Sequence, residues 1–302
     1  MNNKQQILIV IINIFSIVIL FIIAELAVYY TDKKFNHEYK GNEYPPFILF
    51  KNEPSLDNYN KIFRKPVGLE NNKAPVFLYG CSFAYGGSLE ENERPDYILS
   101  ELTQRPVYNY SVYAEGMLQA LYIMQNQEKI TPAPEYVIYM FQSDHIRRLY
   151  STCDIYRTDK FLHYKIVNDK IIFDMNRPHF IENTYIFRKI LQTVLPPLSN
   201  YFSTDSAYKR FKIFVQNMNT EIHEKYPDTK FIFVFFDNNP NCIKRKNLED
   251  FKKLENSKFK IIYFPDIFDA SFYHNPENRI WDGFHPSGRA WKIVIPEIVK
   301  RM

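Results

Sequence analysis

Glycine is scarce in this chain of 302 residues. It has eight, where average usage of about 7% would give roughly twenty. That scarcity argues against a collagen-like repeat, a glycine-rich linker and the glycine fingerprint of dinucleotide-binding folds. Cysteine is scarcer still. Cys81, Cys153 and Cys242 lie far apart, with no C-x-x-C pair and no Cys/His cluster, so the metal prediction is none. Three thiols cannot all pair, and a Cys153–Cys242 bond stays open as a possibility for an oxidising compartment only. Charge of one sign is also lacking. Thirty-eight Lys and Arg face 34 Asp and Glu, a net +4, which is too dilute for a phosphate-neutralising surface, so no nucleic-acid partner is expected. Internal repeats and low-complexity tracts are absent. What remains, 46% hydrophobic and 24% charged residues, is the composition of a folded protein.

One long apolar run is present. From Ile7 to Tyr30 only Asn13, Ser16 and Glu25 interrupt it, and about 20 apolar residues span the hydrocarbon core as a helix. The run exceeds the apolar region of a signal peptide, and Ala24-Glu25-Leu26-Ala27 is a poor cleavage site. The expectation is an uncleaved, single-pass membrane anchor over 1–30, followed by a polar, proline-punctuated linker over 31–73. Lys4 precedes the run and Lys33, Lys34 and Lys40 follow it; that count alone favours the C-terminal side inside.

Beyond the linker, short apolar runs alternate with helical patterns. Strands are expected at 76–79, 107–110, 136–141, 231–236 and 260–263. A helix is expected at 118–127, and another from Pro286-Ser287 to about Val299. Continuous apolar strands separated by helices imply a parallel sheet covered on both faces. The fold class is therefore α/β, a three-layer α/β/α sandwich occupying 74–302. An insertion at about 145–206 interrupts it. There, Asn168-Asp169 predicts a hairpin between 161–167 and 170–174, and a helix is expected at 182–194. An insertion placed there is expected to shape the substrate pocket.

Two short segments carry the chemistry. Gly80-Cys81-Ser82-Phe83-Ala84-Tyr85-Gly86 directly follows the first strand, and Asp282-Gly283-Phe284-His285-Pro286-Ser287 directly precedes the last helix. A serine hydroxyl attacks well only when an imidazole takes its proton. That imidazole needs a carboxylate to fix its tautomer and stabilise its charged form. Ser82 at a strand end, with Asp282 and His285 three residues apart on a short loop, can meet those needs. Proline at the helix start fixes where the loop ends.

These two segments resemble the nucleophile block and the Asp-His block of the SGNH (GDSL-type) hydrolases. The resemblance covers roughly 74–144 and 228–300. It implies a flavodoxin-like sheet, hydrolysis of esters without cofactor or metal, and roles for Ser82 as nucleophile, His285 as base and then acid, and Asp282 as orienting carboxylate. It also implies an oxyanion hole built from the Ser82 backbone N–H and two further positions. One falls on Ala114, in 107–116, where the family usually has glycine. The other falls on Ser143, in Phe141-Gln142-Ser143-Asp144, where the family has an asparagine amide; Gln142 is an alternative donor. The partner implied is an ester-bearing small molecule, glycan or lipid, acetyl esters included, with hydrolysis or acyl transfer as the outcome. The catalytic domain is then expected on the extracytoplasmic side, against the lysine count. The competing reading is a catalytically inactive module of the same fold that binds glycans or assists assembly.

Several residues stay ambiguous at this level. Of the other histidines, His145 could line the pocket, but a surface position is favoured. Arg147 and Arg148 read as solvated. Trp281 either offers a sugar-stacking face or packs beneath its loop. Cys81, next to the serine, is expected to point into packing.

Overall fold

Strands buried on both faces need two separate coats, and the strands of this sheet present a different side-chain chemistry to each. The computed structural model describes residues 13, 15–17, 19–21, 23, 63–113, 116–150, 164–173, 205–236 and 245–302. Within them the strands are β1 (Val76–Tyr79), β2 (Val107–Asn109), β3 (Tyr136–Phe141), β4 (Tyr164–Val167), β5 (Lys170–Phe173), β6 (Lys230–Phe235) and β7 (Phe259–Tyr263). The helices used below are α1 (Ser82–Tyr85), α2 (Pro95–Thr103), α3 (Met117–Asn126), α4 (Asp144–Tyr150), α5 (Asp205–Lys225), α6 (Arg245–Lys252), α7 (Ala270–His274) and α8 (Gly288–Val299).

Five strands form one parallel sheet in the order β2-β1-β3-β6-β7. With the β4-β5 hairpin set aside this is 2-1-3-4-5, the doubly wound flavodoxin-like order, whose direction reverses between β1 and β3. All five strands predicted for this sheet are present, with ends shifted by a residue or less.

Side chains alternate across a strand, and here they sort by type. Val76, Leu78, Ile138, Met140, Ile232 and Val234 face one way and pack with Ile98 and Leu99 of α2 and with Trp291, Val294, Ile295 and Ile298 of α8. Their neighbours Tyr139, Phe141, Phe233 and Phe235 face the other way. Phe211 of α5 and Phe251 of α6 lie there, with ring centroids 4.9–5.8 Å from those strand rings and from each other. The strands turn mainly aliphatic side chains to the first layer, where Trp291 and Phe236 join them, and mainly aromatic ones to the second. At the end of α3 the Lys225 ammonium donates to the carbonyls of Gln125 and Gln127 at 3.1 and 2.9 Å and to that of Met124, closing a helix end that would otherwise leave buried acceptors unpaired.

The predicted hairpin is present. Asn168 and Asp169 take φ of 51° and 59°, the left-handed pair a two-residue turn demands. It packs on helices: the Ile171 N–H donates to Asn217 Oδ1 of α5 at 3.0 Å, and Tyr164 meets Phe214 at 5.0 Å. The helix expected at 182–194 lies outside the described residues. So does most of the expected anchor. Of that run, residues 13, 15–17, 19–21 and 23 are helical and exposed, and among the described residues no helix is long and apolar enough to cross a membrane. The sheet and the catalytic candidates belong to one unit spanning Glu53–Asp154, Phe161–Met175 and Pro197–Met302.

Phe233 is fully buried between strands and helices. Phe233→Ala should lower stability in urea denaturation by about 3–5 kcal/mol. Ile172→Ala, on a hairpin side chain 43% exposed, should stay within about 0.5 kcal/mol of the parent.

Candidate active site

Ser82 owes its place to a tight exit from β1. A Cβ at Gly80 would sit 2.8 Å from the Ala84 Cβ and 3.1 Å from the Met140 carbonyl, so only glycine lets the chain turn this close to β3. Cys81 stays extended, Ser82 opens the one-turn α1, and Gly86 ends it at φ +65°. The turn is tied to β2 from the side. Asn109 donates from Nδ2 to the Ala84 carbonyl at 2.9 Å and accepts the Ser111 N–H at 3.1 Å, while the Val112 N–H donates to the Gly80 carbonyl at 3.2 Å. Asn109 is 1% exposed. Its amide therefore fixes the Ser82 turn, which its own strand does not touch through the ladder.

The second half of the site is a loop closed by its own hydrogen bonds. Ile280 N–H donates to the His285 carbonyl at 2.9 Å and Gly283 N–H to the Ile280 carbonyl at 2.9 Å. Gly283, at φ +67°, takes the left-handed position at low cost. Asp282 Oδ1 accepts the Phe284 and His285 N–H groups at 2.8 and 3.0 Å. Ser287 caps α8 through the Ala290 N–H, so the loop ends on a rigid helix.

The two halves meet. Asp282 Oδ2 lies 2.6 Å from His285 Nδ1, and His285 Nε2 lies 2.7 Å from Ser82 Oγ. Burial alone would raise the Asp282 carboxyl; the two backbone N–H donors and the imidazole outweigh it and hold the group below the ordinary carboxylate range. A charged Asp282 keeps the ring proton on Nδ1, leaving Nε2 to accept from the serine hydroxyl. Phe83 and Phe284 press on the imidazole, with centroids 4.9 and 5.3 Å away. The side chains of His285 and Asp282 are 20% and 17% exposed, so this pair works in a partly dry setting where charge interactions are strengthened.

The remaining predicted residues divide. Ser143 stands half-buried between β3 and α4, its carbonyl accepting the Ile146 N–H at 3.0 Å. Gln142 lies beside the nucleophile segment, its Oε1 3.8 Å from the Cys81 thiol. Ala114 falls outside the described residues. Cys81 points into packing as expected, 1% exposed, and burial pushes its thiol up. The surface reading of His145 is corrected: the ring is fully buried, Nδ1 pairs with the Tyr139 hydroxyl at 2.8 Å, and burial holds it well below the ordinary histidine range. The tyrosine of the preceding strand draws it into the aromatic layer. Arg148 is not solvated either; it pairs with Asp144 at 2.7 Å. Trp281 does not pack beneath its loop, being 70% exposed. Among the described residues no group of three or more His, Cys, Asp or Glu could hold a metal ion. Sequence reasoning missed Asn109 as a positioning group and the two phenylalanines as cover for the imidazole. An amide in the middle of a buried strand was the available signal for the first.

No protein-family model matches the chain, and no curated protein matches it. It is similar to solved structures. One is the lipase Lip_vut3 from a goat rumen metagenome, at 10% identity and TM-score 0.48, covering 76% of this chain and 97% of that one. Another is the acetyl xylan esterase Est2A from the rumen bacterium Butyrivibrio proteoclasticus, at 8% and 0.42, covering 76% and 63%. A third is a family 3 carbohydrate esterase from Clostridium thermocellum, at 12% and 0.44, covering 75% and 94%. At these identities and scores the functional reading rests on the geometry of the site.

Asn109→Ala leaves the Ala84 carbonyl and the Ser111 N–H unpaired in the interior. It should cost about 1–3 kcal/mol in urea denaturation and, by loosening the turn, slow Ser82 labelling by a fluorophosphonate several-fold at temperatures where the variant stays folded.

Proposed function

We propose that this chain is a serine esterase: Ser82 attacks the carbonyl of a carboxylic ester while His285 takes its proton, and Asp282 holds the resulting imidazolium. The alcohol leaves with a proton from His285. Water, activated by the same imidazole, then releases the acid from the acyl-serine. The observation that carries the reading is the relay of 2.6 and 2.7 Å contacts from Asp282 through His285 to Ser82, assembled from residues 203 apart. Such a relay has no structural purpose that a buried apolar cluster would not serve better. The SGNH-type resemblance of both segments supports the same roles. The Ser82 backbone N–H, with Ala114 and Ser143 in the positions named above, is proposed as the oxyanion hole. A sugar hydroxyl in place of water would turn hydrolysis into acyl transfer.

The apolar run of 7–30 is proposed as a single-pass anchor holding this enzyme at a membrane, with the catalytic unit on the extracytoplasmic side. Supporting it, Phe15, Ile17, Leu20 and Ile23 of that run are 57–66% exposed. Apolar side chains left open on successive positions of a helix suit lipid better than water.

The full-length protein should hydrolyse p-nitrophenyl acetate and take up one fluorophosphonate. Ser82→Ala should abolish both, and Asp282→Asn should lower kcat by a factor on the order of 10⁴ by favouring the wrong tautomer. Equal rates for the parent and Ser82→Ala would overturn the esterase reading and favour the inactive, glycan-binding module. Alkaline carbonate extraction of cell membranes should leave the full-length chain in the pellet and release a chain lacking residues 1–30; release of both would remove the anchor.

A further inference from the structure

Arg64 reaches the Ser82 turn from a segment outside the two that meet at the site. Its guanidinium carbon lies 4.1 Å from the centre of the Tyr85 ring, a cation–π contact that supplies no acceptor to its N–H groups. Few of those groups are used. Nη2 reaches the Gly86 carbonyl at a long 3.5 Å. Nε is sealed in without a partner, and Nη1, also without one, is not sealed in. Among the described residues no carboxylate pairs with Arg64, whereas the nearby Arg94 is neutralised by Asp96 at 2.8 Å. A half-buried cation with open donors therefore stands beside Gly86.

Tyr85 places this cation relative to Ser82. Side chains in α1 follow one another at about 100° around the axis. Phe83 and Ala84 point into the core, and the partly open pair are Ser82 and Tyr85, which at three positions apart are neighbours on one face. Phe83 lies on the other flank of Ser82, and the His285 ring packs on it at 4.9 Å. The serine therefore stands between the imidazole on one flank and the Tyr85–Arg64 pair on the other. Tyr85 is held there: the Tyr113 ring packs on it at 4.7 Å, and a Cβ at Gly87 would run into the Tyr113 hydroxyl, so that position needs glycine.

In the proposed reaction His285 protonates the departing alcohol, which puts the alcohol half of the ester on the imidazole flank and the acyl half on the other. We infer that Arg64 selects the acyl half: the substrate class is a half-ester of a short dicarboxylic acid, whose free carboxylate pairs with the guanidinium. A single unpaired guanidinium matches the charge and the planar fork of one carboxylate; a dianionic phosphate calls for further cations. One tyrosine side chain spans the interval from turn to guanidinium, which fits an acyl chain of few carbons. The assignment to the acyl half rests on the esterase reading; the carboxylate site itself does not.

The full-length protein in detergent separates the two. Monoethyl succinate and monoethyl glutarate are compared with ethyl butyrate and ethyl valerate, with acid release followed at constant pH. At least one half-ester should exceed its neutral counterpart about tenfold in kcat/KM, through KM, as one charge-assisted pair allows. The preference should shrink with added salt. Arg64→Gln should bring the two ester types within about twofold of each other, with Arg64→Lys recovering part, since an ammonium keeps the charge and loses the fork. Each ratio is taken within one preparation, so partial unfolding of a variant does not mimic the result. Equal rates on both ester types in the parent would overturn the proposal, as would a preference that survives Arg64→Gln. So would an Arg64-dependent preference for acetoxyacetate, which carries its carboxylate on the alcohol half, over ethyl acetate. A parent that hydrolyses no ester yet binds monoethyl glutarate in calorimetric titration, with the heat lost in Arg64→Gln, would sink the esterase reading alone and uphold the carboxylate site. Absence of that heat in such a parent would overturn both.

Discussion

The hydrogen bond from Ser82 Oγ to His285 Nε2 joins residues 203 apart, and it cannot hold itself together. Closing a flexible loop of that length costs on the order of 5 kcal/mol, whereas one hydrogen bond returns a net 0.5–1.5 kcal/mol or so. The contact exists because α8 is pinned elsewhere. Trp291, Val294, Ile295 and Ile298 are each no more than 1% exposed, and burying each contributes about 1.5–3 kcal/mol before chain entropy. The helix is docked by its apolar stripe against the aliphatic face of the sheet, and the His285 loop is carried to the serine as its leading end.

That dependence explains which face of the sheet bears the site. Phe83, next to Ser82, belongs to the same packed cluster as Trp291 and Phe236, so the serine turn and the His285 loop are two edges of one core. Gly80 and Asn109 then remove the slack within the nucleophile turn, one by permitting close approach to β3 and the other by clamping the Ala84 carbonyl. On the opposite edge the Asp282 carboxylate serves two ends at once. One oxygen organises the loop through backbone N–H groups and the other orients the imidazole. Local folding and charge placement are the same set of bonds.

The strands and the two segments that bring Ser82, His285 and Asp282 together were legible in the sequence for one shared reason: both are local patterns at element ends. Phe231–Phe236 is apolar without alternation because both of its faces are covered, and such runs announce a parallel sheet. Ser82 after a strand and Asp282-x-x-His285 before a helix announce themselves by position. What stayed illegible depends on contacts across the fold. His145 looks like any polar residue after a strand, and only the Tyr139 hydroxyl, six residues earlier and on the same layer, makes its burial tolerable. Phe83 and Phe284 carry no signal in sequence of their packing on the imidazole, because they lie on segments far apart in the chain. Trp281 could not be assigned to core or surface from its neighbours in sequence; the fold leaves it 70% exposed. The hairpin around Asn168-Asp169 was legible as a hairpin, but its docking on Asn217 of α5 was written in residues some fifty positions distant.

In the proposed esterase, the departures from the SGNH-type pattern at Ala114 and Ser143 bear on rate more than on mechanism. A backbone N–H is unaffected by the side chain it precedes, so alanine in place of glycine preserves a donor wherever its loop can hold a Cβ. Serine in place of asparagine is the larger change, because a hydroxyl reaches less far than an amide. Removing one oxyanion donor costs about 2.7–4 kcal/mol of transition-state stabilisation. Breaking the relay costs more, since the serine then lacks the base that makes it a nucleophile. On the proposed esterase reading, a chain that keeps the costlier part in 2.6 and 2.7 Å contacts while varying the cheaper one keeps what the covalent step needs. On that reading the difference falls on how fast the tetrahedral intermediate forms, and binding energy realised in the transition state is what can substitute for a missing donor.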